Sequence, residues 1–257
     1  MLCLMPLAAP AGPPEDLVSL EILPGWDTPQ GTRIVGLQFT LAPGWKTYWR
    51  APGDAGIPPL FDWTGSLNIA GADFHWPTPL VFDQAGMRSI GYADRVVIPV
   101  EILPGSPGQP QHIAGAVEIG VCDDICVPVR LTFAADLLPG GRRDPGIVAA
   151  MVDQPMPADR AGVQGVTCTA EPTEDGLRLT AHLTLPATGA PEVVVIEVGD
   201  PAVWVSESAT NRMGDVLTAE VKMIHVRGGA IALDRSTLRF TVLGSDRAVD
   251  ITGCDAG

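Results

Sequence analysis

Short apolar runs in which polar residues alternate with apolar ones recur along this chain, and Gly and Pro separate them. The sequence has 29 glycines and 25 prolines among 257 residues, well above ordinary usage. In the run from Val127 to Phe133, apolar side chains occupy every second position, as a half-buried β-strand requires. No long helical periodicity interrupts the series. The pattern therefore predicts an all-β protein built from many short strands.

The predicted strands form two series, one in each half of the chain. In the first half they are Leu17–Leu23, Ile34–Leu41, Arg95–Leu103, Ile113–Val121 and Val127–Phe133. In the second half they are Val163–Ala170, Leu177–Leu185, Glu192–Val198, Val216–Ile224, Leu238–Leu243 and Ala248–Thr252. The tripeptide Leu-Pro-Gly is predicted to close a strand at each of its occurrences, 23–25, 103–105 and 138–140.

A break between the two series divides the chain. The Gly- and Pro-rich segment 139–145 interrupts the strand pattern, and a short helix is predicted from Pro145 to about Asp153. Frequent short strands on both sides favour a β-sandwich for each half. We therefore expect a sandwich domain at 12–140, a linker with a short helix at 141–160, and a second sandwich at 161–257.

Charge and the N-terminal segment restrict the class of protein. The net charge is −14 at pH 7 and no run of Lys or Arg occurs, so nucleic-acid binding is not expected. No apolar stretch is long enough to span a bilayer. Residues 1–11 have the apolar core and small-residue triplet of the end of a secretory signal, and a disordered apolar tail is the alternative. The basic segment that opens such a signal is missing, which is consistent with a start upstream of Met1.

The number of cysteines agrees with export. Cleavage after residue 11 would remove Cys3 and leave four cysteines. An even number of cysteines in an exported, acidic, strand-rich protein favours disulfides over metal cages.

Cys122 and Cys126 are the first candidates for chemistry. They lie between two predicted strands, at or beside a hairpin tip, where a curled loop brings the Cα atoms within disulfide range. So small a ring constrains the unfolded chain little, which makes stabilisation a poor reason for the pair. Exchange with another protein is the favoured interpretation, because an exposed bridge is readily reduced. An ordinary structural disulfide at the tip is the alternative.

The residues around this pair allow two further interpretations. Asp123 and Asp124 raise the pKa of a neighbouring thiol, which suits a disulfide that awaits attack by another thiolate. Two solvated acids on a loop are the alternative. Reduced thiols with Met87 or a histidine would suit Cu(I), although the four histidines are scattered and no zinc-type ligand set is present. No metal or other cofactor is therefore assigned.

Cys168 and Cys254 are expected to form a structural disulfide. One lies in the first predicted strand of the second half and the other follows the last, and such strands can be close in a sandwich. A bridge closing so long a loop is expected to stabilise the fold by about 4 kcal/mol. A second redox pair is the weaker alternative.

Several motifs of the first half resemble the N-terminal periplasmic domain of the DsbD and ScsB thiol:disulfide interchange proteins. The resemblance covers about residues 15–138 and is carried by Pro43–Pro59, Trp76–Pro79, Gly91-Tyr92, Val96–Val100 and Gly120–Pro128. It implies an immunoglobulin-like sandwich in the periplasm that relays electrons through Cys122 and Cys126. The implied partner is a thioredoxin-like or disulfide-isomerase-like periplasmic protein. The second half resembles the additional β domain of ScsB-like chains only loosely.

The chain also departs from the family pattern. The segment 83–89, which corresponds to the family's cap over the cysteines, has no aromatic residue, so Met87 is expected to shield them instead. Tyr92 is expected near the same site. No membrane domain or thioredoxin-like domain follows, so the relay is expected to draw electrons from a separate membrane carrier or another protein. Copper binding or copper tolerance, or a scaffold role through the same cysteines, is the alternative function.

Overall fold

The computed structural model describes residues 17–54, 56–84 and 86–257. The predicted signal segment at 1–11 and Cys3 lie outside these residues. In the part of the chain that is described, no helix combines the length and the apolar character needed to cross a membrane.

The chain is mostly β, with several antiparallel sheets, two sandwich-like domains and few helices, which confirms the predicted fold class. The strands of the first half are β1 (Val18–Asp27), β2 (Arg33–Leu41), β3 (Lys46–Tyr48), β4 (Leu60–Asp62), β5 (Ile69–Phe74), β6 (Leu80–Gln84), β7 (Met87–Ala93), β8 (Arg95–Pro104), β9 (Gln111–Cys122) and β10 (Cys126–Leu137). They are followed by α1 (Pro145–Val152), β11 (Met156–Pro157), α2 (Ala158–Ala161), β12 (Gly165–Pro172), β13 (Leu177–Thr184), β14 (Val193–Glu197), β15 (Val203–Val205), β16 (Ala209–Met213), β17 (Val216–His225), a 3₁₀ turn (Arg235–Thr237), β18 (Arg239–Leu243), β19 (Ala248–Thr252) and β20 (Asp255–Ala256).

The contacts within the chain divide it into two compact units. The first unit contains 17–48, Pro59–Phe74 and Tyr92–Ile147, and the second contains Trp49–Pro58, His75–Gly91 and Val148–Gly257. The sequence-based boundaries at 140 and 161 remain a prediction.

Two sheets form the first unit. One has the strand order β1-β2-β8-β5, and in the other β9 pairs with β10 on one side and with β3 and β4 on the opposite side. At alternating positions of β2, the side chains of Val35, Leu37 and Phe39 are at most 2% exposed. Each apolar side chain buried in this way contributes about 1.5–3 kcal/mol. These alternating apolar residues therefore lie in the core, although the first five residues of β2 are all buried.

An aromatic cluster closes part of this core. The ring centroids of Phe61 and Phe74 lie 4.5 Å apart, and those of Trp63 and Phe133 lie 5.0 Å apart in an edge-on arrangement. Aromatic pairs at these distances add about 0.5–1.5 kcal/mol beyond their buried area. These four aromatic side chains therefore pack together at the core of the first unit.

The first Leu-Pro-Gly does not close a strand, so this prediction was wrong for residues 23–25. The three residues lie inside β1, where the pairing with β2 shifts register between Leu23 and Trp26. Gly25 has a φ of 60°, and a Cβ atom placed on it would lie 1.7 Å from the carbonyl oxygen of Ile34. Glycine allows the strand to bulge here and continue.

Arg33 explains why the bulge is stable. Its guanidinium is 3% exposed and donates hydrogen bonds to the carbonyl oxygen of Pro24 at 2.8 Å and 3.1 Å. It also donates to the carboxylate of Asp27 at 2.7 Å and to the carbonyl oxygen of Leu138 at 2.6 Å. A buried charge is tolerated when its donors are paired in this way. Arg33 therefore provides the hydrogen bonds that the carbonyl group of Pro24 accepts at the bulge, and it also holds the chain at the end of β10.

The second unit contains two further sheets. One has the order β11-β19-β18-β14, and the other has β15-β17-β13-β12-β20, with β16 also paired to β17. Their inner faces enclose a core that includes Leu179, Leu217, Met223 and Phe240, each at most 1% exposed. The β6–β7 hairpin also belongs to this unit, as far as Gly91.

Helix α1 begins where the sequence predicted it. Pro145 is its first residue, and the carboxylate of Asp144 accepts hydrogen bonds from the backbone N–H groups of Gly146 at 2.8 Å and Ile147 at 3.2 Å. These bonds satisfy N–H groups that have no partner within the helix. Ile147 is fully buried, which ties the helix start to the first unit.

Candidate functional site

The β9–β10 hairpin places the two cysteines opposite each other. Cys122 ends β9, Cys126 begins β10, and the two are cross-strand partners with Cα atoms 4.2 Å apart, joined by a disulfide. The three loop residues between them curl, and the backbone N–H of Asp123 donates to the carbonyl oxygen of Ile125 at 3.1 Å. The sheet register therefore creates the close approach that the sequence spacing allowed.

The two cysteine residues differ in their access to solvent. Cys122 is 1% exposed, whereas Cys126 is exposed. Position in the sheet explains the difference, because β9 is paired on both sides and β10 is the outermost strand. A reagent approaching from solvent meets Cys126 first.

Tyr48 contacts both sulfur atoms. Its hydroxyl lies 2.8 Å from Sγ of Cys122 and 3.2 Å from Sγ of Cys126. Because disulfide sulfurs carry no proton, the hydroxyl is the donor. Its side chain is buried, and burial raises the pKa of Tyr48, which keeps the proton on the oxygen at neutral pH. Tyr48 was not among the predicted site residues, although it lies in Pro43–Pro59, one of the segments that carry the family resemblance.

Short strand β3 positions this tyrosine. Lys46 is the register partner of Cys122, and Tyr48 is two residues further along, so both side chains project from the same face of the sheet. The hydroxyl of Thr47 donates to the carbonyl oxygen of Gly120 at 2.9 Å and pins β3 to β9.

The charged residues near the pair are mostly acidic. Asp123 and Asp124 are exposed, and within the described residues neither forms an ion pair or a side-chain hydrogen bond. Farther along the hairpin, Arg130 bonds to Glu118 at 2.5 Å and lies 3.9 Å from Asp62. That cluster has two carboxylates for one guanidinium, so the field around the hairpin is negative.

Met87 and Tyr92 occupy different surroundings. Met87 begins β7 in the second unit and is 60% exposed, whereas Tyr92 is 5% exposed in the first unit. Their expected roles beside the cysteines remain predictions.

The remaining cysteines are joined in the second unit. Cys168 in β12 and Cys254 between β19 and β20 form a disulfide with Cα atoms 5.9 Å apart. Cys168 is fully buried in the core, and the neighbouring strand β20 pairs in parallel with β12. This disulfide fastens the end of the chain to a sheet and has no exposed loop like the other pair.

The described residues near the cysteines were also compared with the ligand sets of protein metal sites. Among the described residues, no cluster of three or more His, Cys, Asp or Glu side chains could hold a metal ion. Four titratable side chains lie beside the pair: Tyr48 by contact, Lys46 by register, and Asp123 and Asp124 by sequence. They can modify the chemistry of the sulfurs, but none of them is a soft metal ligand.

Fold and site together define a class of protein: a β-sandwich that carries a disulfide across the end of one hairpin, with one sulfur accessible. Residues 18–137 match the family model described as thiol:disulfide interchange protein DsbD, N-terminal. The sandwich of the first half thus matches the family of DsbD N-terminal domains, as the sequence motifs predicted.

A solved structure resembles the chain over nearly its whole length. The N-terminal periplasmic domain of ScsB from Proteus mirabilis superposes with a TM-score of 0.70 at 23% sequence identity, covering 98% of this chain and 97% of that one. At this identity the likeness concerns the fold, and it includes the second half. A search of the curated proteins returns no match.

Proposed function

We propose that the first unit is an exported thiol-disulfide exchange module that relays two electrons through Cys122 and Cys126. The match of residues 18–137 to the thiol:disulfide interchange family supports the type of reaction. The unequal environment of the two sulfurs carries the proposal, because it supplies one sulfur to be attacked and another to leave.

Attack takes place at the accessible sulfur. A partner thiolate approaches Sγ of Cys126, a new S–S bond forms, and the Cys122–Cys126 bond breaks with its electron pair on Sγ of Cys122. A second thiol of the partner then attacks the mixed disulfide and releases Cys126 as a thiolate. The pair has gained two electrons, two protons are taken from solvent, and the partner has become a disulfide. The reverse sequence oxidises the pair.

Tyr48 assists the leaving sulfur. Its hydroxyl is 2.8 Å from Sγ of Cys122 and can donate to the thiolate as negative charge develops there. A hydrogen bond to a charged group is worth about 1.5–3 kcal/mol, more than one to a neutral disulfide. Burial would otherwise disfavour a thiolate at this position.

The partner follows from the chemistry of the module. A thioredoxin-like or disulfide-isomerase-like periplasmic protein supplies or receives the electrons, and a separate membrane carrier is a further source. Copper binding by the reduced thiols is the alternative from the sequence, but in the described residues no observation favours it over exchange.

Trapping of the mixed disulfide tests the proposal. Cys122→Ser leaves the accessible sulfur without its resolving partner, so we expect a covalent adduct on a non-reducing gel of periplasmic extract. Cys126→Ser leaves only the buried sulfur and should give a band at least about ten-fold weaker, because access limits exchange. The double variant is the control and should give none.

Two outcomes would contradict the proposal. If Cys126→Ser gives an adduct band as strong as that of Cys122→Ser, the proposal that Cys126 is attacked first is contradicted. If neither single variant captures a partner, and reduced wild-type protein binds Cu(I) tightly with one ion per pair, the copper function would replace exchange.

A further inference from the structure

The loop that joins the two cysteines is negatively charged and unneutralised. Asp123 and Asp124 are exposed, and in the described part of the chain no cation pairs with either carboxylate. The exposed sulfur of Cys126 follows them directly. Any group that reaches this sulfur therefore enters the field of two carboxylates.

The surrounding charges do not cancel this field. Lys46 is the register partner of Cys122, so it lies on the side of β9 opposite to β10. Two strand spacings of about 4.8 Å thus separate its backbone from that of Cys126. Arg130 is engaged by Glu118 and Asp62, a group with an excess negative charge of its own.

This field acts on the reaction because the attacking species is itself an anion. A thiolate, and not a thiol, attacks a disulfide. Two carboxylates near the attacked sulfur repel it, unless cationic groups on the same molecule approach with it. We propose that Asp123 and Asp124 select the reductant by charge, so that the partner of this module presents its attacking cysteine on a cationic surface. This inference rests on the proposed exchange function and specifies the partner's surface.

The expected selection is moderate and depends on salt. At separations of several ångströms in water, each carboxylate changes the approach energy of a unit charge by an amount near thermal energy. Together they should favour a thiol reagent with a cationic substituent over an anionic one by about ten-fold at low ionic strength. Screening should reduce this ratio to about two-fold in 1 M NaCl, where the Debye length is about 3 Å.

Three small thiols provide the test on the oxidised protein. Cysteamine is cationic, 2-mercaptoethanol is neutral and 2-mercaptoethanesulfonate is anionic. Opening of Cys122–Cys126 is followed by quenching, alkylation and peptide mass, and each rate is expressed per concentration of thiolate. This correction removes differences in reagent pKa. In each exchange, two equivalents of reagent become one disulfide and the protein pair becomes a dithiol.

Neutral variants assign the effect to the loop. Asp123→Asn with Asp124→Asn should reduce the cationic-to-anionic rate ratio from about ten-fold to less than three-fold. Glu174→Gln with Asp175→Asn removes the same net charge from the exposed β12–β13 turn and should leave the ratio of the wild type. If the cationic-to-anionic rate ratio falls in both double variants, the cause is the net charge of the protein and not the loop, and the inference is overturned.

The outcomes also separate this inference from the proposed function. Equal wild-type rates with all three reagents would overturn charge selection and leave exchange intact. A Cys122–Cys126 bridge that none of the reagents opens would overturn the exchange function, and charge selection with it.

Discussion

Cys122 and Cys126 are four residues apart, yet their side chains have different environments. One is enclosed between β3 and β10 and touches a tyrosine hydroxyl, and the other begins an outermost strand. Sulfur reactivity depends on access and on the stability of the leaving thiolate, and both properties change over this short distance. A hairpin end in an otherwise regular sheet is therefore sufficient to give two identical residues different roles.

Replacement of Tyr48 by Phe should slow exchange. The variant keeps the ring and removes the hydrogen bond to the departing Cys122 thiolate, so the rate of reduction by a neutral thiol should fall about ten-fold. The pKa of the reduced Cys122 thiol should rise for the same reason. Rates between pH 6 and pH 9 check both effects.

The free energy of unfolding separates these effects from a general loss of structure. Tyr48→Phe should change it by less than about 1.5 kcal/mol in the reduced protein. An unchanged exchange rate and an unchanged thiol pKa would show that the hydroxyl only fills space.

At the scale of elements, β1 shows how a strand continues across a Pro-Gly pair. The bulge is possible because Gly25 adopts a positive φ against the backbone of Ile34 and because Arg33 bonds to the carbonyl of Pro24. Leu-Pro-Gly is usually a turn signal. Here a long-range set of hydrogen bonds overrides it.

Gly25→Ala tests this account of the bulge. The added Cβ atom would meet a backbone oxygen at 1.7 Å, so β1 must shift, and the free energy of unfolding should fall by more than about 3 kcal/mol. Gly31→Ala is a matched control, since Gly31 also has a positive φ but has nothing within 4 Å of the added atom. It should cost only about 1–2 kcal/mol, the cost of a residue with a Cβ atom in the left-handed region. Equal costs, measured by urea denaturation, would refute the steric explanation.

The two disulfides should differ in their resistance to reduction. Cys126 is exposed at a hairpin end, whereas Cys168 is fully buried between strands. In native buffer with a low concentration of dithiothreitol, Cys122–Cys126 should open at least about ten-fold faster, because access limits exchange. Timed alkylation followed by peptide mass measures both bridges in one sample. Similar rates would remove the structural basis for assigning a redox role to one pair alone.

At the scale of the whole molecule, the two disulfides have different roles. Cys122–Cys126 closes a loop with a sequence separation of 4, and Cys168–Cys254 closes one of 86. Loop entropy predicts a contribution of about 2 kcal/mol from the short loop and about 4–5 kcal/mol from the long one. The first bond can break in a functional cycle at small cost to the fold, and the second cannot.

Paired removal of the cysteines checks this division. Cys168→Ala with Cys254→Ala should lower the free energy of unfolding of the second unit by at least about 4–5 kcal/mol, since both loop closure and some core packing are lost. Cys122→Ser with Cys126→Ser should cost about 2 kcal/mol or less in the first unit. Hydrogen exchange resolved by peptide reports each unit separately. A larger loss from the short-loop pair would contradict the assignment of Cys168–Cys254 as the structural bond.

The strands with a clear alternation of apolar and polar residues, and the fold class, could be predicted from the amino-acid sequence. Such alternation is a local property that burial in a sandwich requires. The prediction of Ala248–Thr252 matches β19 residue for residue, and helix α1 begins at Pro145 as predicted. The short strands β3 and β4 were missed, since three residues contain too little periodicity to detect. Their existence depends on pairing with β9.

The candidate cysteines and their acidic loop could be selected from the amino-acid sequence alone, because spacing and composition are local. The burial of Cys122 and the exposure of Cys126 could not, since they depend on which strand lies at the edge of a sheet. The tertiary structure also brought in Tyr48, which is 74 residues from Cys122 and reaches it because β3 pairs with β9. Contacts at such separations follow from the packing of the whole sheet, which no local pattern encodes.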